Sequence, residues 1–161
     1  MSAINLLESQ HREVEKLFSQ FEKVRNSEQK TRIFEEIADK LAVHAAIEEH
    51  HFYPGVKAKR TEDILLESVE EHLTIKRKLA DLMKMDSSDK KFDAAMKTLK
   101  EEVEHHVEEE EGDLFPKVKK LLSKDDLDAL EQTMVAEQQE LEETGQPRTG
   151  IPAETTEAAP I

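Results

Sequence analysis

Along the first part of the chain, apolar residues recur at steps of three and four. Ile4, Leu7, Val14, Phe18 and Phe21 form one such stripe, with the period of an amphipathic helix. The rung between Leu7 and Val14 is filled by His11. Ser2 is placed to cap this helix, and Asn26-Ser27 breaks the pattern and offers the next cap. A second stripe, Phe34, Ile37 and Leu41, continues into His44 and Glu48 over a helix from about Glu28 to the region of Lys57. Pro54 should end or bend that helix near Tyr53.

Thr61, followed by Glu62 and Asp63, starts a third helix, with acids suited to its N-terminal dipole. Its stripe is Leu65, Val69, His72, Ile75, Leu79 and Leu82, and His72 is its one polar rung. After the loop Asp86-Ser87-Ser88-Asp89, a fourth stripe runs Phe92, Met96, Leu99, Val103, His106, Glu110, Leu114 and Val118. Gly112 and Pro116 should distort its last third. Ser123-Lys124-Asp125-Asp126 resembles a capping box and predicts a fifth, shorter helix to about Glu143. The pattern therefore divides the chain into a bundle over residues 1–120, an accessory helix over 123–143 and a tail over 144–161. That tail is rich in Pro, Gly, Thr and Ala without periodicity, and is expected to be disordered.

The helical hairpin is used twice. His11 maps to His72 at an offset of 61 and His44 to His106 at 62; Val14 maps to Ile75, Phe18 to Leu79 and Leu41 to Val103. Four helices joined by short connections predict an all-α, up-and-down antiparallel four-helix bundle.

Composition narrows the function. A chain of 161 residues suggests one domain large enough to bury a proper core. The formal net charge of −14 argues against nucleic acid, because phosphate recognition needs a basic patch. There are no cysteines, which removes disulfides, thiolate chemistry and iron–sulfur clusters. No apolar run approaches membrane-span length and the first residues carry no signal-peptide core, so a cytoplasmic location is the default expectation.

Six polar residues occupy core rungs: His11, His44, Glu48, His72, His106 and Glu110. His44 and Glu48, and again His106 and Glu110, stand four apart, so each pair projects from one helix face. In an antiparallel bundle all six can converge at one level. Burying a carboxylate is costly unless it is paired or bound to a cation. Four imidazoles with two carboxylates is the ligand chemistry of a di-iron or di-manganese site. Zinc is open too, but six inward ligands exceed what one tetrahedral ion takes. The bland alternative is a set of partly wet helix-face residues making His–Glu hydrogen bonds. Repetition of the whole set at one offset argues against it. His50 and His105 point away from the stripes and are expected at the surface. His51 is expected at the mouth of the site or on a supporting group. The run Glu108 to Glu111 reads as a solvated face apart from Glu110.

The pattern His … His-x3-Glu-Glu-x2, then an apolar or aromatic pair and Pro, occurs twice, ending at Phe52-Tyr53-Pro54 and Leu114-Phe115-Pro116. It resembles the hemerythrin-like, or HHE cation-binding, family over residues 1 to about 120. The resemblance implies a four-helix bundle holding a non-haem di-iron centre, two Fe ions joined by an oxo or hydroxo bridge. It implies His11, His44, His72 and His106 as terminal ligands, and Glu48 and Glu110 as bridging carboxylates. Oxygen-carrying hemerythrins present a fifth His on the third helix. Here the positions one turn from His72 are Ser68 and Lys76, and the residue after His44 is Ala45. The implied function is binding or sensing of O2. Its alternatives are catalase-like disposal of hydrogen peroxide, or of nitric oxide, and iron storage or sensing. A metal-free interaction bundle is the weakest reading. O2 or hydrogen peroxide is the expected small-molecule ligand, and the tail offers a place for a protein partner.

Overall fold

The computed structural model describes residues 2–161. Among them there is no strand, and no helix is long and apolar enough to cross a membrane. Helix α1 spans Ala3–Lys23; its capping box pairs Ser2 with Asn5. Helix α2 spans Ser27–Ile47 under the Asn26 cap. It runs through a wider turn at Glu48–Phe52 into the short α3, Tyr53–Val56. Helix α4 spans Glu62–Met83. Helix α5, Lys90–Glu109, is capped by Asp89 and runs through a matching wide turn, Glu110–Leu114, into α6, Phe115–Leu121. Helix α7 spans Lys124–Glu143 and starts on the Ser123/Asp126 capping box.

Thr61 stands at the N-cap of α4 as its position suggested, but its side chain makes no capping hydrogen bond there. Its hydroxyl donates to the Val56 carbonyl at 2.9 Å and accepts from the Ala58 amide at 2.9 Å, closing the turn between the two hairpins.

Helices α1, α2, α4 and α5 form the up-and-down bundle, with α1 against α2 and α4 against α5. Its core is cut in two. One apolar cluster includes Val14, Phe18, Ile37, Leu79, Phe92 and Leu99. The other includes Ile4, Leu7, Ile47, Phe52, Leu65 and Phe115. Each bundle helix passes from one cluster to the other at its polar rung, so His11, His44, His72 and His106 form a polar layer between two greasy ones. Apolar packing on both sides fixes the helices that carry the layer.

Helix α7 lies against α1, α2 and the first wide turn. Gly55 permits this approach, since a Cβ there would meet Leu130 Cδ2 at 2.6 Å. The segment beyond α7 differs from the disordered tail expected of it. Pro147–Glu154 forms a 3-10 helix that lies on α2 and α4. Ile151 is 2% exposed and belongs to the first apolar cluster. Arg148 pairs with Asp39 and Glu35 on α2, and Arg77 on α4 donates to the Thr155 and Thr156 carbonyls. One buried anchor and a few fixed charges hold the segment, and neither requires helical periodicity.

Candidate metal centre

The two Glu residues of the repeat stand where the α-helix widens. In the first copy the Tyr53 amide bonds to the Glu48 carbonyl, and in the second the Phe115 amide bonds to the Glu110 carbonyl. These are i→i+5 turns, which occur mostly as single bulges at functional sites. Pro54 and Pro116 follow immediately. Each lacks an amide proton, and its ring presses on the carbonyl four residues back. The wide turn accommodates that pressure. The helices therefore do not stop at the prolines. They are re-aimed one turn earlier, at the carboxylates.

The structure brings all six sequence-identified residues together, and all six are buried. Glu48 Oε1 lies 3.1 Å from His44 Nε2, 3.1 Å from His72 Nε2 and 3.7 Å from His106 Nε2. Glu110 Oε1 lies 3.2 Å from His11 Nε2, 3.4 Å from His106 Nε2 and 3.9 Å from His44 Nε2. The donor atoms fall into two compact sets, His11 with His44 and Glu110, and His72 with His106 and Glu48. Each set takes its carboxylate from the opposite hairpin.

The outward nitrogens are tied as regularly. His11 Nδ1 is 2.6 Å from Glu111, His44 Nδ1 2.6 Å from Gln10, His72 Nδ1 2.7 Å from Glu49 and His106 Nδ1 2.8 Å from Glu71. Gln10 is itself oriented by donating to Gln138 of α7, which turns its oxygen toward His44. An acceptor at every Nδ1 places the proton there and leaves every Nε2 lone pair facing inward, the arrangement of metal-ligating histidines. These four partners were not recognised in the sequence. Glu111 had been assigned to a solvated face, yet it bonds His11 and also pairs with Arg12. Glu49 is 3% exposed.

The inward atoms fit a cation. His72 Nε2 and His106 Nε2 approach to 3.2 Å, and two lone pairs that close repel unless a proton or metal stands at them. Glu48 Oε2 is fully buried with no hydrogen-bond partner, a costly state for a group that water cannot reach, and His44 Nε2 has only the Glu48 and Glu110 carboxylates before it. Tyr53 adds an unforeseen member. Its hydroxyl donates to Glu110 Oε2 at 2.8 Å and lies 3.2 Å from His72 Nε2. Burial, with the Glu110 and Glu48 charges, pushes the phenol well above its usual range, so it keeps its proton. The equivalent residue in the second copy is Phe115, so the two halves are chemically unequal.

Among the remaining histidines, His50 is exposed as expected and its Nδ1 is 2.7 Å from Glu137 of α7. His51 faces the same Glu137 at 2.8 Å and does not face the centre. His105 lies at the surface with Glu71 and Glu109. Lys76 is buried, with its ammonium 2.9 Å from Glu49 and 3.0 Å from Glu154 of the C-terminal segment.

Without metal, protons take up the charge imbalance. Burial alone would lower His44, but the Glu48 carboxylate and its hydrogen bonds raise it to about 9. His72 and His106 are raised against burial by the same carboxylates and by Glu49 and Glu71. Burial would raise Glu48; the His44 charge and its other partners hold it well below its ordinary value. A raised histidine contributes its full stability below its ordinary 6.5 and loses it as pH rises through its folded value, about 9 for His44. A depressed carboxylate contributes above its ordinary 4.5 and loses that as pH falls through its folded value. The metal-free network is thus strongest between those two ordinary values and weakens toward alkaline pH. Metal binding has the opposite trend, since a protonated imidazole cannot ligate. Thermal melts are expected to show the gap between metal-loaded and metal-free protein widening from pH 6 to pH 9; a constant gap would show that these histidines do not take the metal.

The oxygen partners of Nδ1 give a second expectation. Outer partners of ligating histidines typically contribute 10–100-fold in metal affinity. Glu49→Gln and Glu71→Gln should each weaken metal binding by about that factor, measured by competition with a chelator. Glu108→Gln, at an exposed position of α5 two residues from His106, serves as the control and should not.

No curated protein matches the chain. A crystal structure of a hemerythrin HHE cation binding domain-containing protein, the Rv2633c homolog from Mycobacterium kansasii, superposes with a TM-score of 0.80. It is 21% identical, over 96% of this chain and 94% of that one. At that identity the likeness speaks for the fold. The family described as Hemerythrin HHE cation binding domain matches residues 2–118, the span that supplies every helix of the bundle and all six inward donors. The chain belongs to the hemerythrin HHE cation-binding domain family.

Proposed function

We propose that this protein holds two iron ions and binds or senses O2 at a carboxylate-bridged, non-haem di-iron centre. The observation that carries the reading is the sharing of each carboxylate between imidazoles of both hairpins, at 3.1–3.7 Å for Glu48 and 3.2–3.9 Å for Glu110. A carboxylate so placed suits two ions better than one. His11 and His44 would serve one ion, His72 and His106 the other, with Glu48 and Glu110 between them. Nitrogen and oxygen donors without thiolate suit iron or manganese; the family resemblance favours iron. When bound, the reduced pair supplies electrons to O2. The protein's part is to position and to hold protons. Glu49, Glu71, Glu111 and Gln10 hold the imidazoles in one tautomer and orientation, and the two apolar clusters flank the layer above and below.

Reaction with peroxide is a second reading, and Tyr53 favours it. A buried phenol that keeps its proton and touches both Glu110 and His72 is a hydrogen-bond donor placed among the inward donors, suited to orienting a bound peroxide. Anaerobic reduction followed by O2 addition, read by optical spectroscopy with iron quantification, separates the two. Reversible spectral change under vacuum supports binding or sensing. Rapid irreversible oxidation with hydrogen peroxide breakdown supports disposal. Metal-loaded protein with no response to either oxidant would overturn both.

A further inference from the structure

A cavity of about 170 Å³ adjoins the polar layer. All four imidazoles border it, but Glu48, Glu110 and Tyr53 do not, so it lies on the imidazole side of the centre. Its walls are Val14, Leu41, Ile75, Leu79, Val103 and Val107. Its roof comes from outside the bundle: Pro147, Gly150 and Ile151 of the 3-10 helix close the gap between α2 and α4. At its rim stand Lys76, Glu154, His50 and Glu137, of which His50 and Glu154 are more than half exposed at their side chains. The space has a polar mouth, a floor of imidazoles and apolar walls.

The size exceeds what a diatomic ligand needs. A water molecule's share of liquid volume is about 30 Å³, and an engineered apolar cavity of about 150 Å³ stays dry and binds benzene. Walls of valine, leucine and isoleucine offer water no partners, so desolvating an apolar guest is the main gain on binding. The roof is an addition to the repeated hairpins, and it makes the chamber what it is. Without Ile151 the apolar walls would face an open groove.

We infer that this chamber is a binding site for one small organic molecule, with an apolar body up to the size of a benzene ring, whose polar end if present faces the imidazoles. Ile151 sets its depth. The inference goes beyond O2 chemistry and does not depend on the metal being iron.

The test uses the full chain as purified, with benzene as the probe and its saturation-transfer NMR signal as the readout, alongside melting temperature and iron per chain. Benzene should give saturation transfer and raise the melting temperature, since a ligand that binds only the folded state stabilises it. Ile151→Trp from the roof and Val103→Phe from the wall fill the space from opposite sides. Each should abolish the benzene signal while iron content and helical circular dichroism stay unchanged. If the roof variant detaches its segment, the wall variant decides. No benzene signal in the unmodified chain, or benzene binding that survives in a folded Val103→Phe protein, would each overturn the chamber. Benzene binding by an unmodified chain that takes up no iron would instead count against the di-iron reading and leave the chamber standing.

Discussion

On the proposed di-iron reading, replacing Glu48 by alanine is expected to empty both metal positions, lowering iron from about two ions per chain, the number such carboxylate bundles hold, to near zero. The same is expected of Glu110→Ala. The reason is the crossing of the two hairpins at the centre. Glu48 Oε1 is within 3.1 Å of His44, from its own hairpin, and of His72, from the other. Glu110 Oε1 is 3.2 Å from His11 across the bundle and 3.4 Å from His106 on its own helix. Neither carboxylate belongs to one half. An independent pair of sites would lose one ion per substitution; a bridged pair loses its common anchor.

The substitution also removes a buried negative charge that balances the imidazoles. In the metal-free protein, His44 then loses the carboxylate chiefly responsible for its raised value, so Glu48→Ala should flatten the rise in melting temperature toward mildly acid pH. Elemental analysis after anaerobic iron loading, with melts at pH 6 and pH 9, reads both effects. A Glu48→Ala, Glu110→Ala double variant that still carried both irons would sink the bridged centre.

The bundle and its six inward residues were legible because each one breaks an apolar stripe. A histidine at a core rung is conspicuous, and four at matching rungs of a repeated hairpin leave little room for accident. The oxygen partners of Nδ1 were missed for a geometric reason. Gln10, Glu49, Glu71 and Glu111 each stand one residue from an inward donor, about 100° around the helix, which in projection resembles the surface. In a packed bundle that flank faces the neighbouring helix, and there each finds a histidine. A signal was present. Gln10 maps to Glu71 at the same offset of 61 as His11 to His72, and Glu49 to Glu111 at the same 62 as Glu48 to Glu110.

His51 reaches the mouth of the chamber through Glu137 and not from the stripe itself. An unbroken 3.6-residue helix would bring it back to nearly the bearing of His44. The wide turn beginning at Glu48 adds a residue and rotates everything after it, so His51 reaches Glu137 of α7. Periodicity cannot reveal such a turn from inside, though the following proline is its local mark. The C-terminal segment was misjudged because composition averages over a window. Ile151 alone carries the apolar anchoring inside that 3-10 helix, and Arg148 finds its acids on α2, more than a hundred residues away.

Deleting residues 147–161 is expected to lower the melting temperature substantially and to speed loss of metal to a chelator. The largest single term is Ile151, 2% exposed among Val14, Leu41, Ile75 and Val103. Truncating a buried isoleucine to alanine costs about 2–5 kcal/mol. At roughly 2–4 °C per kcal/mol for a chain of this length, Ile151→Ala should melt about 5–15 °C lower, and the deletion at least as much. The charge pairs add less. Glu154 is half exposed, and exposed pairs contribute little. Their position matters more than their strength. His72 Nδ1 bonds Glu49, Glu49 bonds Lys76, and Lys76 bonds Glu154, so the segment is tied through two side chains to an inward donor. Removing it leaves Lys76 with Glu49 alone and opens the imidazole side of the cavity to solvent. Chelator exchange should therefore accelerate in the deletion, and partly in Glu154→Gln, which keeps Ile151 in place. A deleted protein that melts with the full chain and releases metal at the same rate would mean that the segment neither packs on the bundle nor shields the centre.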